Sequence, residues 1–310
     1  MSWVTCEPKS RMRIISCINE NFGKNKLFSW TKSVFLQKRI KNEAMTALLL
    51  ALSILPVILL MIFIYRADKY EREPIKTLAK AFIGGMIAIP LDILLVTLIN
   101  HVVYSNTVFH TAFLNAGLPE ELSKFIIFMV FIWRDKNFNE YMDGIVYATF
   151  IGLGFACVEN VMYVFNASAE SFQTGIATSV VRALLSVPGH FLFGVLMGYF
   201  LSMAKFKKGK TLPYLLLALL TAAAGHGLFD WLLMVSDALG PGIGTVIYLA
   251  FLWGDIKLWK IGIKYIRQPQ ENSRLQAEND DFGDGPDIGL PNLNYDPEYK
   301  QIDWNAGDRQ

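Results

Sequence analysis

Seven long apolar segments constrain this chain more than any other feature, because they occupy most of the sequence between residues 45 and 265. Most of them reach the roughly 20 residues that an α-helix needs to cross the hydrocarbon core of a bilayer. A helix satisfies its own backbone hydrogen bonds there. We therefore predict an all-α, polytopic transmembrane helix bundle with about seven spans. The segments are 45–65, 78–104, 118–134, 142–165, 176–204, 212–236 and 242–265, of which the third is short.

Composition divides the chain into three regions. Residues 1–43 form a basic N-terminal extension with nine Lys and Arg against three Glu. Residues 44–267 form the transmembrane domain, and residues 268–310 are rich in Asp, Asn, Gly and Pro, which predicts a disordered acidic C-terminal tail. The three cysteines form no CxxC pair and no disulfide framework. The partner expected for the apolar segments is the lipid bilayer, and no nucleic-acid partner is expected.

Loop charges predict the orientation of the bundle. Lys and Arg crowd residues 66–80, recur at Arg134 and Lys136, and cluster at 205–210. The loops at 105–117, 166–175 and 237–244 contain neither residue. Because basic loops are retained in the cytoplasm, we expect a multi-pass protein of the cell membrane with a cytoplasmic C-terminus. The basic segment 1–43 does not fit seven spans in this orientation.

Several ionisable residues lie deep inside these apolar segments. Placing such a side chain inside a membrane costs several kcal/mol or more of free energy, so those that occur there usually have a function. At about 1.5 Å per helical residue, they lie ~20–24 Å from the nearest charged or proline boundary. Four segments therefore bring polar groups to one level of the membrane, which predicts an active site. The candidate catalytic residues are Glu120, Glu121, Glu159, His190, His226 and Asp230.

Local spacing predicts how some of these residues pair. Lys124 lies four residues after Glu120 and three after Glu121, so it can reach either carboxylate. One lysine cannot neutralise both acids, so the second needs another partner. His226 and Asp230 share a helix face at i, i+4.

Four further residues are expected to support the site or its surroundings. Phe155 lies one turn before Glu159 and could form a wall of the site, and Asn160 could bond to Glu159. Arg182 is expected to pair with an acid near the outer surface. Asp92, beside Pro90, could line the site or satisfy the broken helix, and the second interpretation is favoured.

Purely structural interpretations of the same residues compete with these assignments. Acidic residues after a proline are ordinary helix-start signals, and an i, i+4 His–Asp pair can simply stabilise a helix. Hydrolysis in a membrane, however, needs a sheltered water, a base and donors for an oxyanion. Two Glu and two His on facing helices supply all three. No cofactor is favoured; zinc is the alternative, held by two His and one carboxylate, although the sequence contains no HExxH motif.

Three motifs resemble those of the PrsW family of intramembrane proteases, which is related to the CAAX prenyl protease superfamily. The family is marked by EExxK, FxxxE and HxxxD. These motifs occur here in order, on separate segments, as EELSK at 120–124, FACVE at 155–159 and HGLFD at 226–230. The segment PGHFLFGVLMGYF, which contains His190, is also similar. The resemblance covers about residues 45–236 and neither terminal extension.

The resemblance implies a bacterial multi-pass endopeptidase that cuts single-pass membrane proteins near the outer membrane face. A membrane-bound anti-sigma factor, cut at its first site, is the implied type of substrate. Glu120 or Glu121 would activate the water, and the other four candidates would position it, stabilise the oxyanion or bind a metal. A glutamic-type mechanism is favoured over a metalloprotease because the paired glutamates supply a base.

Two other classes of function remain open. The same residues could form a proton relay in an ion-coupled transporter, although no inverted repeat is visible and the polar groups form one layer. A non-catalytic membrane scaffold could keep them for packing.

Overall fold

The computed structural model describes residues 43–68, 71–207 and 209–252 continuously, together with isolated positions at 37 and 40 and between 254 and 267. The predicted acidic tail lies outside these residues, and the predicted basic extension does so except at positions 37, 40 and 43. All regular elements among the described residues are helices, with no strand. This confirms the predicted all-α polytopic class.

Nine α-helices and one π-helical turn make up the described part of the bundle. Five helices are long and apolar enough to cross a membrane when α6 and α7 are taken as one. The helices are α1 (Glu43–Ala67), α2 (Ile75–Val102), α3 (Val108–Ala112), α4 (Leu118–Phe131), α5 (Tyr141–Ser168), α6 (Phe172–Leu184), α7 (Ser186–Phe206), α8 (Thr211–Ala238) and α9 (Ile243–Leu252), and the π-helical turn is Phe113–Gly117.

The predicted spans at 118–134 and 242–265 are the two that differ most from the described helices. The first is occupied by the 14-residue α4, which continues directly from α3 and the π-helical turn. The second is described as a continuous helix only over Ile243–Leu252. The 14 residues of α4 fall short of the length that spanning requires. Among the described residues, five helices have that length when α6 and α7 are taken as one.

Helix α5 lies at the centre of the bundle and packs mainly against α7 and α2. Its side chains are buried along most of its length, as expected for a helix that is apolar on all sides. Helices α1, α2 and α8 instead expose Leu, Ile and Val side chains on their outer faces. Those exposed apolar faces are where lipid would contact the protein.

Glycine permits the close contact that brings two parts of the site together. A Cβ on Gly117, at the end of the π-helical turn, would lie 2.7 Å from the backbone nitrogen of Gly227 and 2.8 Å from the carbonyl oxygen of Ala223. Gly117 precedes the Glu pair by three residues, and Gly227 follows His226. The backbones of the turn and α8 therefore touch next to the site.

A break between α6 and α7 lies close to the site. The helix is interrupted at Leu185, three residues before Pro188, and the Gly189 N–H then bonds to the Leu185 carbonyl at 2.9 Å. Proline cannot donate a backbone hydrogen bond and clashes with the carbonyl four residues earlier. Pro188 thus explains why the helix is interrupted just before His190.

Candidate active site

The paired glutamates lie at the start of α4, immediately after the π-helical turn. Pro119 occupies the first turn of α4, where its missing N–H costs nothing. A π-helical turn is rare and is frequently found at functional sites. Both carboxylates are buried, with Glu120 8% exposed and Glu121 1% exposed. The sequence thus places two adjacent acids inside the bundle.

Lys124 lies at the centre of the cluster. Its ammonium donates to Glu121 Oε1 at 2.8 Å, to Glu120 Oε2 at 3.2 Å, and to His190 Nδ1 at 3.1 Å. It also lies 4.1 Å from the centre of the Phe155 ring. One buried cation therefore contacts both carboxylates and an imidazole, as the i+3 and i+4 spacing predicts for the two acids.

His226 supplies the second partner that the glutamates need. Its Nδ1 lies 2.9 Å from Glu121 Oε1 and 3.8 Å from Glu120 Oε2. Its Nε2 lies 3.6 Å from Asp230 Oδ2, too long for a hydrogen bond but close enough for electrostatic attraction. The imidazole is therefore flanked by carboxylates on both sides.

His190 connects the Lys124 cluster to Glu159. Its Nε2 bonds to Glu159 Oε2 at 2.8 Å, while its Nδ1 faces the Lys124 ammonium. An ammonium has only hydrogen atoms to donate, so Nδ1 must be the acceptor and Nε2 must carry the proton. The geometry thus assigns the tautomer of this histidine.

Aromatic rings form the apolar walls around these polar groups. The Phe155 ring lies 5.7 Å from the His190 ring, centre to centre, and the Phe193 ring stacks on His226 at 4.8 Å. These rings exclude water from the back of each imidazole. A water-poor surrounding strengthens every charge interaction inside the site.

Four of the residues could together hold a metal ion. Glu120, Glu121, His190 and His226 each offer one ligand atom, and these atoms lie within 4.8 Å of one another. In each histidine the nitrogen facing the cluster is Nδ1, and the other nitrogen faces a carboxylate. That arrangement is typical of metal-bound histidines, whose second nitrogen is oriented by an acid.

Comparison with known proteins assigns the chain that carries this site to a family. The model of the PrsW family intramembrane metalloproteases matches residues 73–254, which include the whole cluster. The chain belongs to the PrsW family. The resemblance inferred from the three motifs is therefore confirmed, and the chain is a membrane peptidase of that family.

Relatives from several bacteria support the assignment, and each is described as a PrsW protease. The relative from Clostridioides difficile is 36% identical over 211 residues, which cover 66% of this chain and 87% of the relative. The relative from Geobacillus kaustophilus is 30% identical over 74% of this chain and 95% of its own length. The Bacillus subtilis relative is 32% identical over 66% and 90%. No solved structure matches the chain significantly.

The structure brings all six candidate catalytic residues of this PrsW-family protein into one connected network, although their roles stay predictions. The supporting residues Lys124 and Phe155 also contact the cluster. Asn160 differs from expectation. Its side chain donates to the Ser53 carbonyl and accepts a bond from Arg182.

Sequence reasoning gave too little weight to two residues. Arg182, expected to pair with some acid near the surface, donates to Glu159 itself at 2.8 Å. Asp92, expected to satisfy the broken helix α2, has a buried Oδ1 with no hydrogen-bond partner among the described residues. A charged residue inside an apolar segment was the available signal for both.

Proposed function

We propose that this protein is an intramembrane endopeptidase that hydrolyses a peptide bond of single-pass membrane proteins near the outer membrane face, with a water activated by a glutamate. The observation that carries the proposal is the convergence of Glu120, Glu121, His190 and His226 around the buried Lys124 ammonium. Membership of the PrsW family supports peptide hydrolysis as the reaction. The alternation of loops with and without Lys or Arg supports the outer face.

Glu120 is the better candidate for the base. Glu121 Oε1 is held by two short contacts, at 2.8 Å from Lys124 and 2.9 Å from His226. The corresponding contacts of Glu120 are longer, at 3.2 and 3.8 Å, and its side chain is the more exposed of the two. A base must reach its water within hydrogen-bonding distance. The more loosely held carboxylate is the one that can turn towards that water.

Each step of the reaction has a group in the cluster to perform it. Glu120 takes a proton from the water as the water oxygen bonds to the scissile carbonyl carbon, and the carbonyl electron pair moves onto its oxygen. When Glu120 takes that proton, its hold on Lys124 weakens, so the N–H of Lys124 that it accepted can donate to the oxyanion beside an N–H of His226. When the C–N bond breaks, Glu120 returns the proton to the departing amine nitrogen. Glu159 and Asp230 hold the two imidazoles in place.

One specific observation supports a metal-dependent form of the reaction as the second candidate: two Glu and two His could together hold a metal ion. The residues fit a zinc ion in type and in the orientation of their outer carboxylates. When bound, such an ion would polarise the scissile carbonyl. Lys124 contacts three of the four donors, so its ammonium competes for the same place. We therefore favour the glutamic-type reaction, with Lys124 as the resident cation.

The substrate proposed for this site is a single-pass membrane protein of the anti-sigma-factor type. This proposal rests on the motif resemblance and on a site buried within a bundle of membrane-spanning length. A single helix entering from the lipid could bring a locally unwound segment to Glu120. Lipid and one such substrate are the partners that we propose.

The test compares N-terminal peptides of membrane proteins in cells that express the wild type, Glu120→Gln or Glu121→Gln. Glu170→Gln, at an exposed glutamate, is the matched control. We expect new N-termini in a single-pass protein with the wild type and the control, and a loss of about 10²–10⁴-fold with Glu120→Gln. Equal fragments in all cells, with every variant folded and abundant, would reject proteolysis. Ion flux measurements on the same variants would then test the transporter alternative.

Metal dependence is tested on the purified protein. The metal content per chain is measured by mass spectrometry, and cleavage of the substrate identified above is measured with and without a chelator. Undiminished cleavage by metal-free protein supports the glutamic-type reaction. Stoichiometric zinc together with loss of cleavage on chelation, and recovery when zinc is restored, would overturn it.

A further inference from the structure

Arg182 on α6 makes three contacts with one end of α5. Its Nη2 donates to Glu159 Oε2 at 2.8 Å, and its Nε donates to Asn160 Oδ1 at 2.6 Å. The guanidinium carbon lies 4.2 Å from the centre of the Tyr163 ring. The Arg182 side chain is only 12% exposed. A planar guanidinium with several fixed donors suits such a multiple contact, and an ammonium does not.

Glu159 needs more than one donor to keep a fixed orientation. The terminal torsion of a glutamate is broad and roughly two-fold, so a single hydrogen bond leaves the carboxylate free to turn. Here Oε2 accepts both the Arg182 N–H and the His190 N–H, each at 2.8 Å. With Arg182 removed, only the His190 bond would remain among these contacts. Arg182 therefore determines where the oxygen that faces His190 lies.

The two donors to Glu159 Oε2 lie on either side of the break between α6 and α7. Arg182 and His190 are eight residues apart, which in an uninterrupted helix would separate them by about 12 Å along the axis. Both side chains nevertheless reach the same oxygen, each at 2.8 Å.

A continuous chain of contacts runs from Arg182 to the paired glutamates. Arg182 and His190 donate to Glu159, Lys124 donates to His190, and the same Lys124 ammonium donates to Glu121. Arg182 also donates to Asn160, whose side-chain amide in turn donates to the carbonyl of Ser53 on α1. The orientation of His190 in the site thus depends on a guanidinium that contacts Glu159 but neither His190 nor the paired glutamates.

We propose that Arg182 is a positioning residue, which orients Glu159 and through it holds the His190 ring in its position in the site. The consequence for cleavage rests on the proposed function, whereas the effect on His190 does not. Arg182 itself touches neither the paired glutamates nor the point at which they converge. Its loss should therefore lower kcat and leave KM unchanged.

The test uses the full-length chain in lipid bilayers with ¹⁵N-labelled histidine. The four histidines give separate nitrogen signals, and His190→Asn identifies that of His190. We compare Arg182→Gln, Arg182→Lys and the control Arg134→Gln, which removes an exposed arginine. The wild type and the control should show His190 with its proton on Nε2. Arg182→Gln should shift the signal of the protonated Nε2, because its hydrogen bond to Glu159 weakens, while Lys124 keeps Nδ1 as the acceptor. Arg182→Lys should retain part of the wild-type signal.

Cleavage of the identified single-pass substrate is the second measurement. We expect kcat to fall about 10–100-fold for Arg182→Gln, the usual cost of losing a residue that orients a site group. The thermal transition and KM should stay close to wild type. A His190 signal unchanged in both Arg182 variants would overturn the proposal, as would equal kcat. A shifted His190 signal with no cleavage by the wild type would instead reject the proposed function alone.

Discussion

Two buried clusters of ionisable residues lie along α5 and differ in their counter-charges. The first is the active-site cluster around Glu121, Glu159 and Lys124. The second, which we call the Asp143 cluster, consists of Asp68, Glu73, Asp143 and Tyr147. Asp143 and Glu159 are 16 residues apart, which is about 24 Å along the helix. Acids are buried at both places, but two buried cations, Lys124 and Arg182, contact the acids of the first cluster only, among the described residues.

The Asp143 cluster is stabilised by hydrogen bonds and protonation instead. Asp143 Oδ2 accepts the backbone N–H groups of Asn139 at 2.8 Å and Glu140 at 2.6 Å. Tyr147 donates its hydroxyl to Glu73. Burial raises the pKa of Glu73 to about 11, and a hydrogen bond with Asp143 adds to the shift. Burial, aided by the charges of Asp143 and Glu71, raises the pKa of Asp68 to about 7.

The difference shows that burial of acids does not by itself make a reactive site. A carboxylate kept charged by a nearby cation can accept a proton from water, whereas a carboxylic acid that stays protonated near neutral pH cannot. Glu73 is of the second type. The cations therefore distinguish the catalytic candidate from a structural cluster of the same residue type.

Removing the central cation should have the largest effect. Lys124→Met leaves two buried carboxylates without their shared partner, which costs about 3–5 kcal/mol of stability. We expect loss of cleavage and a markedly lower thermal transition in detergent. Lys80→Met is the control, because Lys80 pairs with Asp135 near the surface and is 44% exposed; it should cost less than about 1 kcal/mol. Equal stability of the two variants would contradict the central role of Lys124.

Neutralising Asp230 should have a smaller effect, confined to activity. Asp230→Asn keeps the shape of the side chain but removes the charge that lies 3.6 Å from His226 Nε2. We expect kcat to fall about 10–100-fold, as for other residues that orient a site histidine. The measurement is cleavage rate beside thermal unfolding. Unchanged cleavage would show that Asp230 only stabilises the helix, as a partner of His226, and has no role in the reaction.

Asp68→Asn should change stability in a pH-dependent way. The pKa of Asp68 is raised from 3.8 to about 7, so the folded chain binds a proton that the unfolded chain releases. The stability from this group is therefore present below about pH 4 and lost as pH rises through about pH 7. Asparagine does not titrate, so the variant does not lose this stability as pH rises. The thermal transition temperature of the variant, relative to that of the wild type, should therefore increase between pH 5 and 8. A constant difference over that range would show that Asp68 is charged in the folded protein.

Glu73→Gln should have the smallest effect of all. Glutamine resembles the protonated acid that a pKa of about 11 implies at neutral pH, and it can accept from Tyr147 and donate to Asp143. We expect cleavage and the thermal transition at pH 7 to stay within experimental error of wild type. Strong destabilisation would mean that Glu73 is ionised, and the two clusters would then be alike.

Much of the site was predictable because helix geometry is local. The apolar length of each segment predicted helices and placed the acids and histidines at a common depth. The i, i+3 and i, i+4 spacings predicted that Lys124 would meet both glutamates and that His226 would lie near Asp230. The motifs resembling the PrsW family then indicated the reaction. The count of seven spans was less secure, because the segment at 118–134 forms only the 14-residue α4.

The sequence by itself determined the helical class, the depth of the ionisable residues and the pairs within a helix, since all three follow from the 1.5 Å rise and 3.6-residue turn. Only the tertiary structure decided which helices face one another. It placed His190 between Lys124 and Glu159, and it turned Arg182 towards Glu159 rather than another acid. The physical reason is that helix rotation and crossing depend on packing between distant segments, such as the backbone contact of Gly117 with Gly227.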